Sequence, residues 1–509
     1  MRKTEGFGLK NLLAAAAALP LLAPAVQAQN TKYIMLFLGD GMQLEAEIAA
    51  SRYLTGREFE LSWHKLPFSS HVAHWDVTTY ENFAGKGSYD PNAIFPVYGY
   101  DVKKGGRFPY PLQRFGFDDL YFLQMPKPYA TDSASAATAW ATGYKTDDGN
   151  LAWLPGDPKE GALKTIAEIL REKKGFAIGV TSTVPFSHAT PAGHVSHNVN
   201  RNNYRAIGDE ILLKVKPEVV IGGGHPGWAR NSAKTNGRYM SDATYNLFKS
   251  AAFMAQYAFA ERQAGKNGAE SLMAAAENAA RQGKKLFGLY GGKDGNIESP
   301  EPQNAPGQPE VKNPSIENPL MKDQVLAALK VLSQDRDGFF VMFEQGDIDW
   351  AAHANDYARI VGTTWDMHVA VQAAIDYVNK EGDDMTWDNT LLLVTSDHSN
   401  SYLRINRSKA PGAGVLPRQV AGVCPDSYSA TCPNYPDGEV TFRTTHHTNE
   451  LVRLYGIGKA AESFAKYEGI WYPCTKIIDN TQLFHLMAES AGVEIATPLK
   501  FTPDRGACK

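Results

Sequence analysis

A large, mostly parallel central sheet flanked by helices, an α/β fold with loop insertions, is the class this sequence predicts, and two observations predict it. Short apolar runs bounded by turn residues lie at 33–38, 177–181, 219–221, 339–343 and 390–395, and they read as strands buried on both faces. Longer helical patterns such as 161–173 and 366–380 separate them, an alternation that belongs to parallel sheets with helical crossovers. In such sheets ligands gather at the carboxyl ends of the strands. The chain places metal-competent residues there: Asp40 after the first run, Thr190 beyond the second, Glu344 after the fourth, and Asp397 with His398 after the fifth.

At 509 residues, 43% hydrophobic and 21% charged, the chain can bury a large core. A formal net charge of −4 offers no basic field to a polymeric nucleic acid. At the N-terminus, Arg2, Lys3 and Lys10 precede an apolar run from Leu12 to Ala25, and Val26, Gln27 and Ala28 follow it as short or small side chains, the pattern of a signal peptide over 1–28 cleaved after Ala28. A membrane anchor needs about 20 apolar residues, and this run is shorter and interrupted by Pro20 and Pro24. The expectation is a periplasmic or secreted protein with no membrane partner. Its four cysteines would then meet oxidising conditions. Cys424 and Cys432 form one candidate pair and Cys474 with Cys508 the other, and sequence leaves the connectivity open. Residues 29–509 read as one domain with insertions near 71–128, 299–319 and 403–442, the first rich in Gly, Pro and aromatics, the second in Pro and Asn, and the last holding the close cysteine pair.

The small residues that follow Thr131, Asp132 and Ser133 are mostly good helix formers, and Gly143 fits a helix C-cap. Ser133 should therefore sit at a helix N-terminus, where unpaired N–H groups and the helix dipole favour a phosphate and the alkoxide form of the serine. Taken alone, Asp-Ser before a helix is an ordinary N-cap.

Other pairs are equally weak in isolation. Asp349 and His353 are one helical turn apart and can reach one ion. Asp397 and His398 stand where a strand leaves the sheet, Asp40 occupies a tight turn between two glycines, and His446 and His447 are adjacent. Glu344 follows a buried apolar run, so its carboxylate needs a partner, most simply a cation.

Together these pieces fall in a known order. Phe37-Leu38-Gly39-Asp40-Gly41-Met42, the run from Thr131 to Trp140, His188-Ala189-Thr190-Pro191-Ala192-Gly193, Glu344 with Asp349 and His353, Thr395-Ser396-Asp397-His398 and His447-Thr448 resemble the alkaline phosphatases. The resemblance covers nearly all of the chain from Tyr33 to Gly492. It implies hydrolysis of small phosphate monoesters through a phosphoserine on Ser133, at a site with two zinc ions and one magnesium. Carried over, Asp349, His353 and His447 would hold one zinc and Asp40, Asp397 and His398 the other, while Asp40, Thr190 and Glu344 would hold magnesium. His447 is preferred to His446 because the family's ligand precedes a Thr or small residue. Arg201 matches the phosphate-clamping arginine, and Asp132, Trp350 and His188 would complete the substrate site. A phosphodiesterase or nucleotide pyrophosphatase of the same superfamily is the alternative, and a homodimer is left open. Four positions depart from common family patterns: Gln43, His188, Trp350 and Asn400.

Overall fold

The structure, a computed structural model, describes residues 31–80, 130–228, 237–426, 431–472 and 474–495. The expected signal peptide, residues 81–128 of the first insertion and Cys508 lie outside this set. Within it, ten strands make one sheet: β1 (Tyr33–Gly39), β2 (Phe68–Ala73), β3 (Ala177–Pro185), β4 (Val219–Gly223), β5 (Tyr257–Glu261), β6 (Lys285–Leu289), β7 (Phe339–Gln345), β8 (Thr390–Ser396), β9 (Val452–Ile457) and β10 (Ile477–Asp479). Their spatial order is β10, β2, β9, β8, β1, β7, β3, β4, β6, β5, and β9 alone runs against its neighbours. All five apolar runs are strands of this sheet.

Both faces of the sheet are covered, which is why the central strands read as unbroken apolar runs rather than alternating ones. In β1, Tyr33, Met35 and Phe37 enter one core, with the Leu44–Thr55, Met321–Leu332 and Tyr357–Val378 helices. Ile34, Leu36 and Leu38 enter the other, with the Ser133–Thr142, Ile166–Lys174 and Thr481–Ser490 helices. Side chains alternate faces along a strand, so this parity also decides where polar residues point. Val180 and Met342 belong to the second core; two residues on, Ser182 and Glu344 face the same side, toward the Ser133 helix. Asp40 and Asp397 keep that parity just past the ends of β1 and β8.

Several boundaries differ from expectation. The helix expected at 161–173 is Ile166–Lys174, because the Thr165 hydroxyl accepts from the Glu168 N–H while the Glu168 carboxylate accepts from the Thr165 N–H, a capping box that sets the start. The helix expected at 366–380 is the second half of Tyr357–Val378, capped by Asp356, which accepts from the Arg359 N–H at 3.1 Å. Strand β2 includes His71, Val72 and Ala73, so the insertion expected from residue 71 begins inside the sheet; Phe68, Ser70 and Val72 are buried there in alternation.

The other two insertions carry short strand pairs. Glu301–Gln303 pairs with Glu310–Lys312, and in the last, Arg404–Ile405 pairs with Val440–Thr441 and Val420–Gly422 with Cys432–Asn434. Cys424 and Cys432 are joined as a disulfide. No helix among the described residues is long and apolar enough to cross a membrane.

Candidate active site and metal centre

Four adjacent strands, β8, β1, β7 and β3, deliver the chemistry at their carboxyl ends. Asp40 follows β1, Glu344 is the sixth residue of β7, and Asp397 and His398 follow β8. After β7, Gly346 turns the chain into the Asp347–His353 helix, which presents Asp349 and His353 one turn apart. After β3, the Ala189–Val195 helix carries Thr190 in its first turn. Gly41 lets these parts close: it has φ +66°, and a Cβ there would lie 2.8 Å from the Asp349 backbone. Its N–H donates to Asp397 Oδ1 at 2.8 Å, tying the ends of β1 and β8 together.

Two clusters result. Asp349, His353 and His447 offer ligand atoms within 4.8 Å of one another, and so do Asp40, Asp397 and His398. In the first, His353 Nε2 lies 3.3 Å and His447 Nε2 3.4 Å from the Asp349 carboxylate, and the two Nε2 atoms are 3.1 Å apart. Their Nδ1 atoms face the backbone carbonyls of Thr445 and Thr131, so N–H donation there leaves Nε2 as the lone-pair atom aimed at the centre. His446 turns away, with its Nε2 4.0 Å from Asp426. In the second, His398 Nε2 is 3.0 Å from Asp397 and 3.4 Å from Asp40, and its ring stacks on His447 at 3.6 Å.

Burial makes these groups costly unless a cation joins them. Asp40, Asp397 and Glu344 are at most 2% exposed. Asp40 Oδ1, Asp397 Oδ2, Glu344 Oε1 and the Thr190 hydroxyl are buried without a hydrogen-bond partner among the described residues, a set of orphaned oxygens that suits a bound ion. Burial first, then the charges of Asp397, Asp349 and Glu344, hold the Asp40 carboxyl well above its usual range. Burial likewise pushes Glu344 up to about 7, against the hydrogen bond from Ser182. Asp349 is held well below its usual range, since His353 and His447 outweigh its burial. Imidazole with carboxylate is a zinc-type donor set, and Asp40, Thr190 and Glu344 form an oxygen-only set of the magnesium type.

Ser133 opens the Ser133–Thr142 helix, with Asp132 as its N-cap accepting from the Ser135 N–H at 2.9 Å. The serine oxygen is 3.4 Å from both Asp40 Oδ2 and His398 Nε2, and so borders the second cluster. Arg201 is mostly buried, with 17% of its side chain exposed, and its guanidinium donates to Asp132 Oδ2 at 2.8 Å. Its backbone N–H donates to the Gly149 carbonyl at 2.8 Å, and Leu151 bridges Asn198, which anchors the arginine's loop. His188 is buried too; burial and the Arg201 charge lower it to about 3, so it is neutral. Its ring lies 5.8 Å from Tyr204, stacked, and 6.2 Å from Trp350.

Sequence reasoning missed Ser182 and marked Gln43 and Asn400 only as departures. Ser182 donates to Glu344; only strand parity signals it. Asn400 donates to Asp349 Oδ1 at 2.6 Å, while Gln43 donates to the Asn400 carbonyl and to Ser401. Two of the departures thus form one chain behind Asp349. Asp76 and Asp148 stand with Asp132 in a third carboxylate group, for which the sequence gives no spacing signal.

A family model for alkaline phosphatase matches residues 113–452. The chain belongs to the alkaline phosphatase family. Relatives include alkaline phosphatase 3 of Bacillus subtilis (strain 168), 30% identical over 346 residues, which are 67% of this chain and 64% of that one. The alkaline phosphatase of Escherichia coli K12 is 29% identical over 405 residues, 72% of this chain and 75% of that one. Among solved structures, Thermus thermophilus alkaline phosphatase superposes with a TM-score of 0.58 at 20% identity, covering 95% of this chain and 97% of that one. The alkaline phosphatase of the Antarctic bacterium TAB5 gives 0.56 at 18% identity, covering 92% and 100%. These last two establish the alkaline phosphatase fold.

The segment that leads to Arg201 carries a pH dependence of its own. His197 lies 3.3 Å from Glu168 and 3.2 Å from Glu210. Burial lowers its pKa, but hydrogen bonds and charge from both glutamates outweigh that and raise it to about 9. A histidine whose folded pKa exceeds its unfolded value of about 6.5 stabilises fully below the unfolded value and loses that stability as pH rises through the folded one. Stability should therefore fall between about pH 6.5 and 9, by on the order of 2 kcal/mol after allowance for solvent screening. Urea unfolding midpoints of the parent and His197→Gln across that range check this: the variant's curve should be flatter, and parallel curves would contradict it.

Proposed function

We propose that this chain hydrolyses phosphate monoesters to an alcohol and inorganic phosphate through a phosphorylated Ser133. Two zinc ions would be held by Asp349, His353 and His447 and by Asp40, Asp397 and His398, and one magnesium by Asp40, Thr190 and Glu344. The observation that carries the reading is a helix-terminal serine oxygen 3.4 Å from two members of a buried candidate metal cluster. When bound, the ions supply Lewis acidity, acidifying hydroxyl and water at the site and stabilising a departing alkoxide.

The chain's own groups do the rest. Ser133 Oγ gives up its proton and forms the bond to phosphorus as the phosphorus–oxygen bond to the alcohol breaks; water then breaks the serine–phosphorus bond. Asp132 already engages the N–H groups of Ser135 and Ala136, so those of Ser133 and Ala134 remain for phosphate oxygens. Arg201, oriented by Asp132, presents its planar fork to two more. Neutral His188 and the indole of Trp350 flank this position, so the cation that some relatives place there is missing and Arg201 bears the recognition.

Periplasmic or extracellular export belongs to the same proposal, supported by the N-terminal pattern and the Cys424–Cys432 disulfide.

A diester gives one phosphate oxygen to a second carbon substituent, which cannot accept two charge-assisted bonds from Arg201. Matched aryl mono- and diesters therefore test the reading against a diesterase. The monoester should be strongly preferred, and Arg201→Ala should lower monoester kcat/KM by about ten- to a hundredfold, on hydrogen bonds of roughly 1.5 to 3 kcal/mol, with a much smaller diester loss. Equal proportional losses, or a diester preference in the parent, would overturn it.

A further inference from the structure

A second arginine stands on the His188 side of the site. Arg238 lies with its guanidinium carbon 5.4 Å from the ring centre of Tyr204 and 5.1 Å from that of Tyr239, and the two rings meet edge to face at 5.0 Å. Tyr204 stacks in turn on His188, with 8° between the planes. Arg238 is close enough for its charge to reach His188, where it adds to that of Arg201. Ring contacts of this kind use the π-faces of the tyrosines and need none of the guanidinium's N–H groups, and no carboxylate lies within ion-pair distance of Arg238 among the described residues.

Beneath it opens a cavity of about 640 Å³ lined by Asn202, Asn203, Tyr204, Arg205, Ala206 and Arg238. It begins one residue after Arg201, and among the described residues its lining holds two guanidiniums, two amides and no carboxylate. The cavity on the Trp350 side has the opposite character. There Asp294, Glu298, Glu301 and Asp356 contribute to about 580 Å³, and the arginine among them, Arg359, is paired with Asp347 at 2.9 Å.

We propose that the Arg238 cavity binds a second anionic group of the substrate, so that the favoured esters are small phosphorylated alcohols bearing another phosphate or a carboxylate. The inference rests on the phosphomonoesterase reading and deepens it: Arg201 clamps the phosphoryl group that is transferred, and Arg238 takes the anion at the far end of the alcohol. Arg238 is exposed, so its contribution belongs to binding and is weakened by salt.

Four esters on one carbon skeleton test this: propyl phosphate, 3-(phosphonooxy)propanoate, propane-1,3-diyl bisphosphate and 3-aminopropyl phosphate. In the metal-loaded parent at low ionic strength the two anionic esters should exceed propyl phosphate in kcat/KM by about three- to tenfold, through KM, with the advantage shrinking as salt rises. Whether phosphate or carboxylate is the better occupant follows from their ranking. Arg238→Glu should reverse the order, so that 3-aminopropyl phosphate becomes the preferred ester, and Arg238→Lys should keep part of the anionic preference. Absence of such a preference in the parent, or one common factor of loss on all four esters in Arg238→Glu, would overturn the proposal. Calorimetric titration with propane-1,3-diyl bisphosphonate, which cannot be hydrolysed, decides the cavity independently of turnover. Tighter binding to the parent than to Arg238→Glu supports it, and equal binding overturns it. Failure to hydrolyse propyl phosphate at all would instead refute the phosphomonoesterase reading.

Discussion

Ser133→Ala is expected to abolish phosphoenzyme formation and to lower kcat/KM for an aryl phosphate on the order of ten-thousandfold. The serine oxygen is the group at the helix start that reaches the second cluster. On the proposed mechanism its removal leaves only direct attack by water, while phosphate binding at the clusters and Arg201 should persist. The hydroxyl is small and the helix keeps its Asp132 cap, so melting temperature and metal content should stay close to the parent's. Mass spectrometry after an acid quench should locate phosphate on Ser133 in the parent. Ser135 is the informative competitor, because its hydroxyl faces Asp132 and Asp76 instead. Phosphate found repeatedly on Ser135 would sink the assignment.

Chelation should have an effect at least as large. Extended dialysis against a strong chelator is expected to remove all measurable hydrolysis, and zinc plus magnesium to restore it. The argument is electrostatic: Asp40, Asp349, Asp397 and Glu344 are buried together, and without cations they must take up protons or repel one another. A lower melting temperature in the chelated protein is a second readout, since ligands that bind only the folded chain stabilise it by mass action, about 4 kcal/mol at a thousandfold excess over Kd. Full activity in a preparation shown by elemental analysis to lack zinc would end the metal assignment.

Much of this was legible from residue order, and the reasons are physical. Strands β1, β3, β4, β7 and β8 announce themselves because both of their faces are buried. Strands β2, β5, β6, β9 and β10 lie toward the ends of the sheet, are short or half-exposed, and mix Lys285, Arg453 and His71 with their apolar residues. Half of the Tyr357–Val378 helix was hidden by Gly362, Thr363 and Thr364, weak helix formers. Gly362 is required there, because a Cβ would lie 2.0 Å from the Pro300 carbonyl oxygen.

At the site, residues carried by short motifs could be read directly. Their supports could not, because Gln43 and Asn400, or Ser182 and Glu344, meet only across the fold. Asp40, Glu344 and Asp397 were readable for the opposite reason, since each ends or follows a strand that composition alone reveals.

The position of β1 has one more consequence, for the order of events as the chain is made. Tyr33–Gly39 emerges early, yet its neighbours in the sheet are Phe339–Gln345 and Thr390–Ser396, so its pairing waits on loops of some three hundred residues closing. Asp40, Asp397 and His398 therefore cannot converge on a nascent or partly folded chain, and His447 arrives later still. Holding metal ions would then be a property of the finished sheet, and folding intermediates would not capture them.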